Sequence, residues 1–266
     1  IGLCLYDDEN LGAAENAFRQ AVDMDPDNSL GLCFLGIILE HQGKHDEAEK
    51  YFQIARQGSE FSDCLIKSSR YAFSKSADAR YYSNTADVLR YAVTRARDEG
   101  LFMEFGVYYG SSLSIIANST SLTVHGFDSF EGLPDAWFVG DEKGTGATEP
   151  AGAYTTKGAL PSVMQNVVLH KGWFEESLPD FIKEYEGFAS FIHIDCDIYS
   201  STKTVLDLLQ DRIGKGTIIV FDEYFCYPEW MDHEYKAFQE MMSASPHTYE
   251  YIAFSYFTGQ AVVRIL

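Results

Sequence analysis

The sequence is poor in basic residues: 20 Lys and Arg stand against 40 Asp and Glu, a formal net charge of −20 over 266 residues. Such an excess of negative charge repels a phosphate backbone and the anionic face of a bilayer, so neither nucleic acid nor membrane is expected as a partner. Long hydrophobic runs are missing too. No stretch of about 18 apolar residues occurs, so no transmembrane helix is expected. Cysteine is sparse. Cys4, Cys33, Cys64, Cys196 and Cys226 are odd in number, far apart and without a C-x-x-C pair, which argues against a disulfide framework or a zinc site and fits a reducing cytoplasm. What is plentiful is apolar and aromatic side chain, 46% and 15% of residues. That is enough to bury a sizeable core in one large domain, or in one domain with an accessory module. Cationic ligands and metal ions remain compatible with the charge.

The first 60 residues repeat with a period of 34, pairing Ile1/Leu35, Gly2/Gly36, Leu5/Leu39, Ala14/Ala48, Phe18/Phe52 and Ala21/Ala55. Small and large apolar positions recurring in register resemble the tetratricopeptide repeat, in which antiparallel helices pack small residues against bulky ones. Ile1 and Gly2 fall in the middle of a first helix, so the reading expects the repeat to begin upstream of this sequence. From Gly58 to Arg80 the repeat is lost while helical spacing persists in CLIKSSRYAF, which suits a cap on the helical stack. Residues 61–82 are therefore read as a helical linker, with a domain boundary near residue 80. A helix follows in SNTADVLRYAVTRARDEG, with Asn84 or Thr85 as N-cap and Gly100 as C-cap.

Beyond it, strand and helix patterns alternate. The strand candidates are LFMEFGV, LTVHGFD, NVVLHKG, SFIHIDC and GTIIVFD. Alternation of this kind implies a mostly parallel sheet covered by helices on both faces. After a helical stretch over Glu229–Met242, YEYIAFSYF and QAVVRIL are separated only by Thr258–Gly259, which predicts an antiparallel hairpin. Seven strands with an antiparallel end resemble the plan of the class I S-adenosylmethionine-dependent methyltransferases, an α/β Rossmann-like fold. The predicted organisation is thus helical repeats over 1–60, the linker over 61–82 and a catalytic domain over 83–266.

Chemistry-bearing residues gather at the predicted strand ends. In MEFGVYYGSS, Glu104 ends the first strand of the catalytic domain, Gly106 and Gly110 allow close backbone approach, and Ser111 and Ser112 open a helix whose free N–H groups suit a carboxylate. The spacing G-x-x-x-G departs from the dinucleotide fingerprint, which weakens a dehydrogenase reading. Asp128, 24 residues after Glu104, either accepts the hydroxyls of a ribose or caps its own turn together with Ser129. Trp173 and Phe174, at the end of the next strand, form either a wall for an adenine ring or part of the core. Asp195 and Asp197 end the fourth strand, and Asp222 and Glu223 end the fifth. Four carboxylates converging there repel one another unless a divalent cation neutralises them or some of them cap helices. Oxygen ligands without a suitable histidine and cysteine set favour Mg2+ over zinc, with manganese or calcium also possible.

The runs EFGVYYGSS, GFDSFEGLPDAW, KGWFEESLPDF, HIDCDIYSST and VFDEY, in this order, resemble the macrocin O-methyltransferase family of sugar O-methyltransferases over roughly residue 85 to the end. The resemblance implies S-adenosylmethionine as methyl donor, a divalent metal, and a hydroxyl of a sugar on a natural product or glycan as acceptor. Carried over by position, its metal ligands are Asp195, Asp222 and Glu223. Family members often have Asp-Asp-Tyr where this chain has Asp222-Glu223-Tyr224, and catechol-type relatives place a lysine where this chain has Ile198.

An alcohol is a poor nucleophile, so methyl transfer needs a base. Asp195 is the first candidate, with His193 or Tyr199 as substitutes. The glycine-rich segment 140–159 is read either as a lid over the acceptor or as a surface insertion, with Trp137, Tyr154 and Trp230 as flat surfaces for a sugar ring. Two rivals to the enzyme reading stand beside it: a scaffold with an inactive methyltransferase-like domain, and methyl transfer to a non-sugar acceptor. The repeats suit a homo-oligomer contact or a protein partner.

Overall fold

The computed structural model describes residues 2–7, 10–58, 60–76, 78–138 and 148–266. Ile1, and with it the expected mid-repeat start, lies outside the described residues, as does most of the first half of the 140–159 segment. Four helices come first: α1 (Leu11–Met24), α2 (Ser29–His41), α3 (His45–Gly58) and α4 (Glu60–Lys75). The 34-residue period has a direct physical basis. A Cβ added to Gly2 would meet the Phe18 ring, and one added to Gly36 would meet the Phe52 ring, so the same glycine-on-phenylalanine contact recurs one unit later. Ala14 and Ala48 are likewise both fully buried. Helix α2 is buried along its whole length from Gly31 to Leu39, because α1, α3 and α4 all pack on it.

The remaining elements are β1 (Arg80–Tyr81), α5 (Thr85–Arg95), β2 (Leu101–Phe105), α6 (Ser111–Asn118), β3 (Val124–Asp128), the small pair β4 (Trp137–Phe138) and β5 (Thr148–Glu149), β6 (Val167–Lys171), α7 (Phe174–Glu184), β7 (Ala189–Ile194), α8 (Tyr199–Leu209), β8 (Ile218–Phe221), α9 (Glu234–Ala244), β9 (Tyr249–Ser255) and β10 (Gln260–Ile265). All seven expected strands join one sheet in the order β1-β9-β10-β8-β7-β2-β3-β6. The two-residue β1 is an eighth, edge strand that the sequence reading lacked; it pairs parallel to β9. Strands β8, β7, β2, β3 and β6 run parallel, and β10 is antiparallel to both neighbours. The class I α/β plan is therefore present.

Two boundaries moved. Asn84 caps α5 as expected, its side chain accepting the Asp87 N–H at 3.0 Å, but the helix stops at Arg95 rather than Gly100. Gly100 instead takes a left-handed turn (φ +82°) against the Phe188 carbonyl to enter β2. The stretch over Glu229–Met242 divides into a 3-10 turn at Trp230–Asp232 and helix α9.

The sheet has two faces with separate cores. Phe102, Phe191, Val220 and Val262 pack with Val88 and Leu89 of α5 and Ile116 of α6. Met103, Ile192, Ile219 and Val263 face the other way, toward Leu178, Val205 and Phe238 of α7, α8 and α9. This second core continues without a break into the helical repeats through Tyr6, Ile66, Ala72 and Tyr256. No described helix is long and apolar enough to cross a membrane.

Candidate active site

The strand order reverses between β2 and β7: β3 and β6 lie to one side of β2, while β7 and β8 lie to the other. Connections leave this edge in opposite directions and open a crevice at the carboxyl ends of the strands. A cavity of about 480 Å³ occupies it. Its lining follows the sheet, from Gly172, Trp173 and Phe174 after β6, through Asp128 and Ser129 after β3 and Gly106 and Tyr108 after β2, to Asp195 and Asp197 after β7 and Glu223 after β8.

Gly106 sits at the switch point with φ +92°, and a Cβ there would run into the Asp195 carbonyl. No side chain fits. Asp128 organises the same turn: one carboxylate oxygen accepts the N–H groups of Val107 and Tyr108, both at 2.8 Å, and the other accepts Phe130 N–H at 2.6 Å. Its turn-capping role is thus real, and the residue also faces the cavity. Trp173 and Phe174 are half-buried at the start of α7, with Phe174 edge-on to Phe105.

Several expected residues stand elsewhere. Gly110, Ser111 and Ser112 do not line the cavity; Gly110 faces Pro161. Glu104 is fully buried beneath the cavity floor, its Oε1 hydrogen-bonded to His193 Nδ1 at 2.9 Å. The other ring nitrogen of His193 meets Asp222 Oδ1 at 3.4 Å, and Gln260 also donates to that oxygen. Burial alone would lower the His193 pKa, but the bonds and charges of Asp222 and Glu104 outweigh it and raise it well above the ordinary value. Both ring nitrogens of the fully buried His193 are thus engaged, and the residue does not line the cavity. The Tyr199 hydroxyl donates to Glu240 at 2.8 Å, and Tyr199 does not line the cavity either.

The acids form two groups rather than the expected one. Ligand atoms of Asp195, Asp197 and Glu223 lie within 4.8 Å of one another, as do those of His193, Asp195 and Asp222. Asp195 belongs to both groups, so Asp222 and Glu223 each reach it, Asp222 in company with His193 and Glu223 in company with Asp197. Burial, then the charge of neighbouring acids, pushes the carboxyls of Asp195 and Glu223 well above the usual range and that of Asp197 up to about 7. Glu234, fully buried at the start of α9, joins them: one oxygen accepts Glu223 N–H at 3.2 Å, the other has no partner, and its carboxyl is likewise raised. Glu223 Oε2 is also buried without a partner. Orphaned carboxylate oxygens in a cluster of like charge are what a divalent cation satisfies, so Asp195, Asp197 and Glu223 fit such an ion.

Of the three aromatic residues expected to face a sugar, Tyr154 lines the cavity. Trp137 is buried against Tyr227, and Trp230 is buried between Tyr71 and Tyr235. Sequence reasoning missed Tyr108, whose ring meets Tyr154 edge-on at 6.0 Å, and Ser200, Ser201 and Thr204 of α8, which complete the wall beside Asp197. The HIDCDIYSST run carried the serines as helix-start residues, while Glu234 left no signal because it lies 11 residues beyond Glu223.

Residues 103–224 match a family model described as a methyltransferase domain, and residues 1–63 match one described as a tetratricopeptide repeat. No curated protein matches significantly. Among solved structures, the calicheamicin methyltransferase CalS11 is 25% identical, over 68% of this chain and 77% of that one, with a TM-score of 0.48. The O-methyltransferase NovP is 19% identical over 67% and 78%, TM-score 0.47. A Bacillus cereus O-methyltransferase is 15% identical over 78% and 90%, TM-score 0.44. The sheet topology, the switch-point cavity and the two family matches agree: this chain carries a methyltransferase domain behind a tetratricopeptide-repeat region.

Proposed function

We propose that the chain transfers a methyl group from S-adenosylmethionine to a hydroxyl of a sugar on a natural product or glycan, with Mg2+ held by Asp195, Asp197 and Glu223. The observation that carries this is the single cavity across the ends of five adjacent parallel strands, with Trp173 and Asp128 toward one end and the acidic trio toward the other. The motif resemblance supports the sugar acceptor. The domain division at 60 and 83 is retained as part of the proposal.

In this reading the half-buried Trp173 and Phe174 flank the adenine, and Asp128, whose Oδ1 keeps one lone pair free after the three backbone bonds, accepts from the ribose. Gly106 lets the backbone approach the sulfonium end. The cation supplies charge neutralisation for the acids and acidifies a hydroxyl placed beside it. Asp195, which faces the cavity from the end of β7, takes the hydroxyl proton. Tyr108 and Tyr154 present an aromatic corner to the acceptor, and Ser200 and Ser201 offer it hydrogen bonds.

The test is incubation with S-adenosylmethionine and a panel of free and nucleotide-linked sugars, read by mass spectrometry for the gain of one methyl. Transfer that stops in EDTA and returns with Mg2+ supports the reading. Transfer unaffected by EDTA refutes the metal, and absence of cofactor binding refutes the enzyme in favour of a scaffold.

A further inference from the structure

Helix α4 lies outside the methyltransferase match, yet two of its side chains reach the loop that carries Glu223. Ser68 is fully buried, and its hydroxyl oxygen accepts the Cys226 N–H at 2.9 Å across 158 residues of sequence. The Tyr71 hydroxyl bonds to that of Tyr251 at 2.8 Å, and Tyr251 bonds to the Tyr224 hydroxyl at 2.7 Å. Gln239 of α9 donates to the same Tyr224 oxygen at 3.3 Å. The Tyr71 ring also meets Trp230 and Tyr235 edge-on, at 5.3 and 5.5 Å. Helix α4 therefore touches the segment between β8 and α9 at two points, Cys226 and Trp230.

That segment needs a hold from outside. Apart from the turn at Trp230–Asp232 it has no regular structure, and Cys226 and Glu229 both sit in the left-handed region, at φ +73° and +61°. Residues with a side chain occupy this region only where their surroundings impose it. On the sheet side the Tyr224 and Phe225 N–H groups are taken by the Gly259 carbonyl. The next N–H, that of Cys226, is the one Ser68 accepts, and a buried N–H left unpaired is costly.

We propose that Ser68 and Tyr71 are positioning residues for the acidic site: helix α4 fixes the loop after β8 and thereby the placement of Glu223 opposite Asp195 and Asp197. The linker helix before the sheet then also works for the methyltransferase unit. This inference rests on the proposed function for what the site binds, and on the geometry alone for what holds the loop.

The test uses the full chain with Ser68→Ala and, as a milder change, Tyr71→Phe. Three quantities are read: Mn2+ affinity by electron paramagnetic resonance, S-adenosylmethionine affinity by calorimetry, and amide hydrogen exchange across the chain by mass spectrometry. Ser68→Ala is expected to weaken Mn2+ binding about five-fold, the worth of one net hydrogen bond. Exchange should quicken in residues 222–232 while cofactor affinity stays within two-fold of the wild type, about the error of the measurement. Unchanged exchange in 222–232 for both variants overturns the proposal, and so does exchange that rises equally throughout the chain, which marks a merely structural role. A wild type that takes up no Mn2+ removes the cation from the proposed function, and the exchange pattern then judges the positioning role by itself.

Discussion

Replacing Asp197 by asparagine is expected to stabilise the cation-free protein at alkaline pH and to leave it nearly unchanged at pH 5. Burial, then the charge of Asp222, pushes the Asp197 carboxyl from an ordinary value of 3.8 up to about 7. An acid whose pKa is raised by folding keeps a proton that the unfolded chain has lost, so stability falls as pH rises through the window between the two values. Three pKa units correspond to about 4 kcal/mol at pH 8, against about 2 kcal/mol at pH 5, where the folded carboxyl is protonated. Asparagine carries no such penalty and tolerates the left-handed φ of +64° at this position. Loss of the favourable polar contact with Glu223, whose carboxylate lies within 4.8 Å, offsets about 1–2 kcal/mol of the gain. The net is about 2–3 kcal/mol at pH 8, a rise in Tm of about 5–10 °C for a chain of this size. Thermal unfolding in EDTA at both pH values measures it. With Mg2+ added, the wild type should gain stability by mass action and the variant less. A variant less stable than wild type in EDTA at pH 8, or one with the same gain at pH 5, would refute the idea that these acids repel one another for want of a cation.

Three further outcomes follow from the geometry. Gly106→Ala, at φ +92° against the Asp195 carbonyl, should cost more than about 2 kcal/mol and abolish cofactor binding; a folded variant with native affinity in calorimetry would show that the turn does not approach the ligand. His193→Ala leaves the fully buried Glu104 and the half-buried Asp222 without their shared partner, and should lower stability by about 3–5 kcal/mol in denaturant titration. A variant with native stability and only a reduced rate would instead point to His193 as the base. Asn84→Ala removes the α5 cap and should cost about 1 kcal/mol, with no change in any binding constant.

The central strands were legible because they are short β-branched or aromatic runs buried on both faces, and the repeats because Gly2 and Gly36 each pack on a phenylalanine in the same register. The strand-end glycine and acids were legible as positions on a cavity edge. Their partnerships were not. Glu104 and His193 are register partners on adjacent strands, so their bond exists only once the order β7-β2 is known. The sequence likewise cannot say that Asp222 turns toward His193 while Glu223, its neighbour, turns toward Asp197. Trp137 and Trp230 read as exposed platforms because their loops are polar, yet both are buried by tyrosines brought from distant segments. The boundary near residue 80 was placed where the helical linker gives way to strand-and-helix alternation, and one core runs across it from α4 to β9.

The central claim is that this sheet edge binds S-adenosylmethionine with a cation between Asp195, Asp197 and Glu223. Calorimetric titration of S-adenosylmethionine into the protein, with Mg2+ and in EDTA, tests it most directly when run beside Trp173→Ala and Glu223→Gln. The account predicts one cofactor site per chain, about ten-fold weaker binding in Trp173→Ala from the lost stacking, and a Mg2+ response absent in Glu223→Gln. No heat of cofactor binding in the wild type, or a Mg2+ response that survives Glu223→Gln unchanged, would contradict it.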